Sequence, residues 1–109
     1  MNVSQAQELL DLKLLTLPSP DRNIAGGYTG DLLSWVMGRI EADYAWITIM
    51  SNINVVAVAS LADVSCIILA EGVTLEKEIL ELASSKGINV FSSELSSYEL
   101  CVKLSEALK

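Results

Sequence analysis

Histidine is absent from the chain, which removes both the side chain that most often carries protons near neutral pH and the commonest zinc ligand. Cations are scarce. Seven Lys and Arg stand against fourteen Asp and Glu, a formal charge of −7 at pH 7, with no basic cluster. Binding to nucleic acid needs a positive footprint that displaces condensed counterions, so no nucleic acid is expected as a partner, and no anionic membrane surface either. The two cysteines, Cys66 and Cys101, lie far apart and outside any CxxC pair, and they read as reduced core thiols. No metal site and no cofactor is expected. The pattern GxxxxGK[ST] is missing, which excludes a Walker-type phosphate loop. The opening Met1-Asn2-Val3-Ser4 has no basic segment leading into an apolar one, so a cytoplasmic location is expected. Ile53 to Ala70 is the one stretch of membrane-crossing length, and it contains Asn54, Ser60, Asp63 and Ser65. A carboxylate near the middle of a span costs about 2.5–3.5 kcal/mol, so the stretch reads as a helix followed by a strand.

What the chain does have is apolar surface. Hydrophobic residues make up 51% of the 109, enough for one core without a metal or disulfide staple. A small chain this apolar often has a face that it cannot cover by itself, which favours an oligomer. Two strands, Ala45–Met50 and Ser65–Ala70, are apolar along nearly their whole length instead of alternating, as strands covered by helices on both faces are. They predict a parallel sheet.

Around that centre the chain reads in order. Ser4 and Gln7 have the spacing of a capping box before Leu9, Leu10 and Leu12, and Lys13–Leu17 is a first strand ended by Pro18-Ser19-Pro20. Gly26, Gly27 and Gly30 crowd three glycines into five residues, which predicts a sharp turn or a close approach. Thr29 or Asp31 caps a helix with Leu33, Val36, Met37 and Ile40 on one stripe and Trp35 off it. Ile53 to Ala62 is rich in β-branched residues, yet two parallel strands need a crossover, so it is predicted as a helix capped by Ser51 or Asn52. Being apolar nearly all round, it would face the sheet on one side and a second copy on the other. Thr74 caps the next helix, Gly87 ends it, Ile88–Phe91 is a short strand, and Ser96 with Glu99 boxes the last helix. The prediction is an α/β fold of three α/β/α layers around a mainly parallel sheet of about four strands.

In such sheets ligands bind at the carboxyl ends of the strands, where the loops here carry Ser51, Asn52, Asn54, Glu71, Gly72, Ser92 and Ser93. The glycine turn and Asp31 add a helix amino terminus able to hold an anion. Arg22 is the one residue there able to clamp a phosphate or carboxylate through two hydrogen bonds. The plainer reading of the same residues is a structural turn with caps, and for Arg22 a surface ion pair. Interface candidates are Trp35, Ile53, Val55, Val56, Val58 and Ala59.

Taken together, Asp21-Arg22, the run Gly26-Gly27-Tyr28-Thr29-Gly30-Asp31-Leu32-Leu33-Ser34-Trp35-Val36-Met37, the strand from Asp43 to Thr48, Asn52-Ile53-Asn54-Val55-Val56-Ala57-Val58-Ala59 and Ser92-Ser93 to Glu99 resemble the DRTGG domain family. The resemblance runs from about Lys13 onward, leaving residues 1–12 as a helical extension of a single domain over 1–109. Asn23-Ile24-Ala25 separates Asp21-Arg22 from Gly26-Gly27, so no role is assigned to a threonine there. The resemblance implies a non-catalytic regulatory module. Such domains sit between CBS domains in family II inorganic pyrophosphatases, where they help form the dimer interface, and beside phosphotransacetylase-like domains. Stand-alone members in anaerobic bacteria are sometimes labelled as related to HPr serine kinase, and their genes are often near those of iron hydrogenases.

The leading expectation is therefore a homodimeric sensing or interaction domain that takes a small anionic or nucleotide ligand. One alternative is an adaptor subunit of an iron hydrogenase-type metalloenzyme system, which needs a foreign protein partner. The other is a small enzyme using Asp31, Glu71 or Cys66, since paired carboxylates do acid–base work without histidine, although nothing in the spacing pairs them.

Overall fold

The computed structural model describes residues 1–109, in which helices and strands follow as α1 (Val3–Leu9), β1 (Lys13–Thr16), β2 (Gly26–Thr29), α2 (Leu33–Arg39), β3 (Tyr44–Thr48), α3 (Asn54–Ala62), β4 (Cys66–Leu69), α4 (Lys77–Ser85), β5 (Asn89–Ser92) and α5 (Ser97–Ala107). The strands form one sheet in the order β1-β5-β4-β3-β2. Strands β2 to β5 run parallel, and β1 closes one edge antiparallel to β5. The three-layer α/β arrangement and the mainly parallel sheet are as the sequence predicts, with one strand more. That strand is β2, where glycine content suggests a turn.

Period-two alternation divides the buried strands between two apolar layers. Trp46, Ile67, Leu69 and Val90 pack under α2, α3 and α4 through Val36, Val55, Val56, Ala59, Ile79 and Ala83. Ala45, Ile47, Cys66, Ile68 and Phe91 pack under α1 and α5 through Val3, Ala6, Leu100 and Leu104. Every residue of β4 and β5 is buried, and this is why the central runs lack alternation.

Strand β2 pairs with β3 over Gly26–Thr29, and its glycines admit close neighbours. A Cβ on Gly27 would stand 2.7 Å from Leu104 Cδ2, and one on Gly26 would stand 2.8 Å from the Tyr44 ring. The two glycines let α5 and Tyr44 lie directly against the edge of the sheet.

Several predicted caps move. Asn2 and Gln5, not Ser4 and Gln7, form the first capping box, with Asn2 Oδ1 accepting from the Gln5 N–H at 2.8 Å. Helix α3 starts after Ile53 without a side-chain cap; Asn52 Oδ1 instead accepts from the Asn54 N–H at 2.9 Å, a local turn feeding the helix. Helices α2 and α4 likewise start after Leu32 and Glu76 with no side-chain cap, so Thr29, Asp31 and Thr74 do not act as caps. The box of Ser96 and Glu99 is present as predicted.

One buried polar residue ties β5 to its surroundings. Asn89 donates through Nδ2 to the Ser19 and Ser65 carbonyls at 2.9 and 3.0 Å, and its Oδ1 accepts from the Ser19 N–H at 2.9 Å. It thereby joins the loop after β1 to the start of β4. Replacing Asn89 by alanine strands the buried Ser65 carbonyl and the partly buried Ser19 groups, so Asn89→Ala should destabilise the fold by about 2–3 kcal/mol, seen as a lower urea midpoint with an unchanged slope.

Candidate functional site at the carboxyl edge of the sheet

Parallel pairing of β2 to β5 brings their exit loops to one edge. Asp31, Ser51, Asn52, Asn54, Glu71, Gly72, Ser92 and Ser93 all belong to it. Asp31 is committed to structure there: its Oδ1 accepts from Thr48 Oγ1 at 2.8 Å and from the Ile49 N–H at 3.0 Å, and Thr48 Oγ1 accepts in turn from the Met50 N–H at 3.2 Å. The carboxylate predicted to cap a helix therefore clasps the exit of β3. Gly30 beside it accepts a hydrogen bond from Trp46 Nε1 at 3.0 Å through its carbonyl.

The turn after β4 is bolted to the loop after β5. The Glu71 N–H donates to the Leu95 carbonyl at 2.9 Å and the Gly72 N–H to that of Ser93 at 2.8 Å. Both turn residues have positive φ, 59° and 73°, and glycine takes the second of these at no steric cost. The Glu94 carboxylate lies over Gly72, so close that a Cβ there would stand 2.7 Å from Oε2. Ser51, Asn52 and Asn54 are exposed in the loop after β3.

Arg22 is elsewhere. Asp43 and Asp63 precede β3 and β4, at the amino edge, and Arg22 binds both. Its Nε donates to Asp43 Oδ1 at 2.9 Å, and its Nη2 reaches the Asp63 carbonyl at 2.7 Å and Asp63 Oδ1 at 2.8 Å. Burial works against the guanidinium charge, but the hydrogen bonds to Asp63 and Asp43 outweigh it and raise the pKa above its ordinary value. Both aspartates have positive φ, 66° and 58°, so Arg22 holds a corner of two tight backbone turns together. The expected ligand clamp is a structural clasp at the opposite end of the sheet. Gly26 and Gly27 also leave the site, since they lie within β2.

The interface candidates separate by burial. Val55, Val56 and Ala59 are fully buried against the sheet and the neighbouring helices of their own chain, so no second copy can reach them. The predicted two-sided helix presents only its outer side. There Ile53 is 55% and Leu61 75% exposed, while Val58 is half-buried. On neighbouring α2 Trp35 is 56% exposed, Leu32 just before that helix is 60% exposed, and Arg39 Cζ lies 3.9 Å from the Trp35 ring centroid.

Helices α2, α3 and α4 all cover one face of the sheet. The order of the parallel strands never reverses, so the middle of the carboxyl edge has no switch-point crevice. Concavity appears at the two ends. A groove of about 360 Å³ runs between β2 and α5, lined by Tyr28, Ile47, Cys101 and Leu108. Another of about 340 Å³ lies where β1 meets β5, lined by Asp11, Lys13, Ser92, Ser93, Glu94 and Lys103. Of these six, sequence reasoning reached only the two serines. Lys13 arrives because β1 runs antiparallel, in register with Ser92, and no local pattern announces that pairing.

Neither cysteine offers a ready nucleophile. Cys66 is fully enclosed, and burial pushes its thiol up to about 12, with the Ser65 hydroxyl opposing only weakly. Burial also raises the half-buried Cys101. A thiol reagent at pH 8 should therefore leave Cys66 unmodified in the folded protein and titrate both cysteines in denaturant; rapid modification of Cys66 without denaturant would contradict this packing.

Known proteins bear out the architecture. No curated protein matches the chain. A solved structure of the CBS and DRTGG domains of the regulatory region of Clostridium perfringens pyrophosphatase, complexed with the activator diadenosine tetraphosphate, has a similar fold: the TM-score is 0.68 at 17% identity, over 94% of this chain and 47% of that one. The chain thus spans about half the length of that relative. The DRTGG domain profile matches residues 31–107, from the Asp31 clasp to the end of α5, and on that match the chain belongs to the DRTGG domain family.

Proposed function

We propose that the chain is a non-catalytic regulatory domain that works as a homodimer in the cytoplasm and responds to a small anionic or nucleotide ligand. The observation that carries this reading is the set of large apolar side chains left in solvent on and just before the adjacent helices α2 and α3, where Leu32, Trp35, Ile53 and Leu61 are each more than half exposed. Large solvent-facing side chains on adjacent helices favour association, and a two-fold interface needs only one such surface, because it meets its own copy. Trp35, stiffened by Arg39, is the kind of aromatic anchor that dominates interface energetics. The regulatory region of the similar pyrophosphatase, crystallised with a dinucleotide activator, supports a nucleotide as the class of input.

Light scattering at micromolar concentration should give twice the chain mass. Trp35→Lys combined with Leu61→Lys should give the single mass with little change in melting temperature, since both side chains are mainly exposed. A monomeric parent chain would overturn the dimer. For the ligand, a thermal-shift series of adenine nucleotides and dinucleoside polyphosphates should include a stabiliser, because occupancy at one hundred times Kd adds about 2.7 kcal/mol.

A further inference from the structure

In a chain with two acids for every base, a place where two cations come together is informative. Arg22 is held by Asp43 and Asp63, and Arg39 lies on Trp35. Lys13 and Lys103, one from the start of β1 and one from the middle of α5, line the same 340 Å³ groove. None of the five lysines takes part in an ion pair, but these two come together in one groove, beside Asp11 and Glu94. The pairing of Lys13 with Ser92 puts this groove at the carboxyl end of the parallel strands, the end at which α/β sheets bind ligands. Ser93 Oγ already accepts from the Leu95 N–H at 3.1 Å, so its own O–H is left to donate. Further along the edge, Asp31 and Glu71 would repel an anion.

We propose that the groove between β1, β5 and α5 binds a ribose phosphate, the portion common to mononucleotides; this rests on the ligand reading above and gives it a place. The phosphate lies between Lys13 and Lys103 and accepts from the Ser92 or Ser93 hydroxyl, as charge-assisted recognition requires. The ribose hydroxyls donate to Asp11 and Glu94, the use to which carboxylates are put in dinucleotide folds. A volume of 340 Å³ stands at the low end of the roughly 300–1,000 Å³ of small-molecule sites. That suits a mononucleotide fragment better than a complete dinucleoside polyphosphate.

The test is calorimetry and amide chemical-shift mapping of the full chain with AMP, ribose 5-phosphate, inorganic phosphate and diadenosine tetraphosphate. AMP and ribose 5-phosphate should bind and shift amides around residues 11–13 and 92–95, with inorganic phosphate at least tenfold weaker. Lys13→Gln with Lys103→Gln should weaken AMP at least tenfold. Lys77→Gln with Lys86→Gln, the same charge change on α4 across the sheet, should not. Equal binding of inorganic phosphate would overturn the ribose part, and unaltered AMP binding in the first double variant would overturn the site while leaving the ligand reading intact. Binding of diadenosine tetraphosphate without AMP would do the same. No binding of any probe would overturn both.

Discussion

Covering a sheet on both faces is the constraint from which the rest follows. Strands β4 and β5 have no exposed residue, and stacked apolar side chains above and below them form two separate layers of core. Burial at about 25 cal/mol per Å² is gained only if helices lie over both layers. Three crossovers supply α2, α3 and α4 to one face, while the two ends of the chain supply α1 and α5 to the other. Val3 and Ala6 are fully buried, so the first helix contributes to the second layer as α5 does.

Placing all three crossover helices on one face has a cost for ligand binding. A sheet whose strand order reverses opens a crevice between two loops that leave in opposite directions. Here the parallel strands follow one another in sequence order, and their exit loops are joined to each other instead: Asp31 to the end of β3, and the Glu71-Gly72 turn to Ser93 and Leu95. The edge becomes a hydrogen-bonded rim, and concave surface appears instead beside the outer strands β2 and β1.

Charge is distributed to match. At the amino edge Arg22 satisfies two left-handed aspartate turns in a partly buried corner, where hydrogen bonds outweigh the desolvation of the guanidinium. The carboxyl edge carries Asp31, Glu71 and Glu94, and two lysines, Lys13 and Lys103, line one groove where β1 and α5 border β5. On the outer side of α2 and α3 the large exposed side chains are apolar, Trp35 and Leu61 among them, with Arg39 the one charged residue.

The local readings that held were those with a local cause. Continuous apolar runs marked the doubly covered strands, Gly87 ended α4 with φ 75°, and Ser96 with Glu99 began α5, because burial on both faces, left-handed backbone and reciprocal capping are each written within a few residues. The family resemblance was equally legible. Tertiary structure decided what depends on distant partners. Gly26 and Gly27 lie in a strand because they pair with β3, Asp31 clasps Thr48 instead of capping a helix, and Arg22 answers aspartates 21 and 41 residues away. The same holds for α3 and for the groove. A helix apolar all round does not say which side meets its own sheet, and Lys13 meets Ser92 only through an antiparallel edge whose register no short segment encodes.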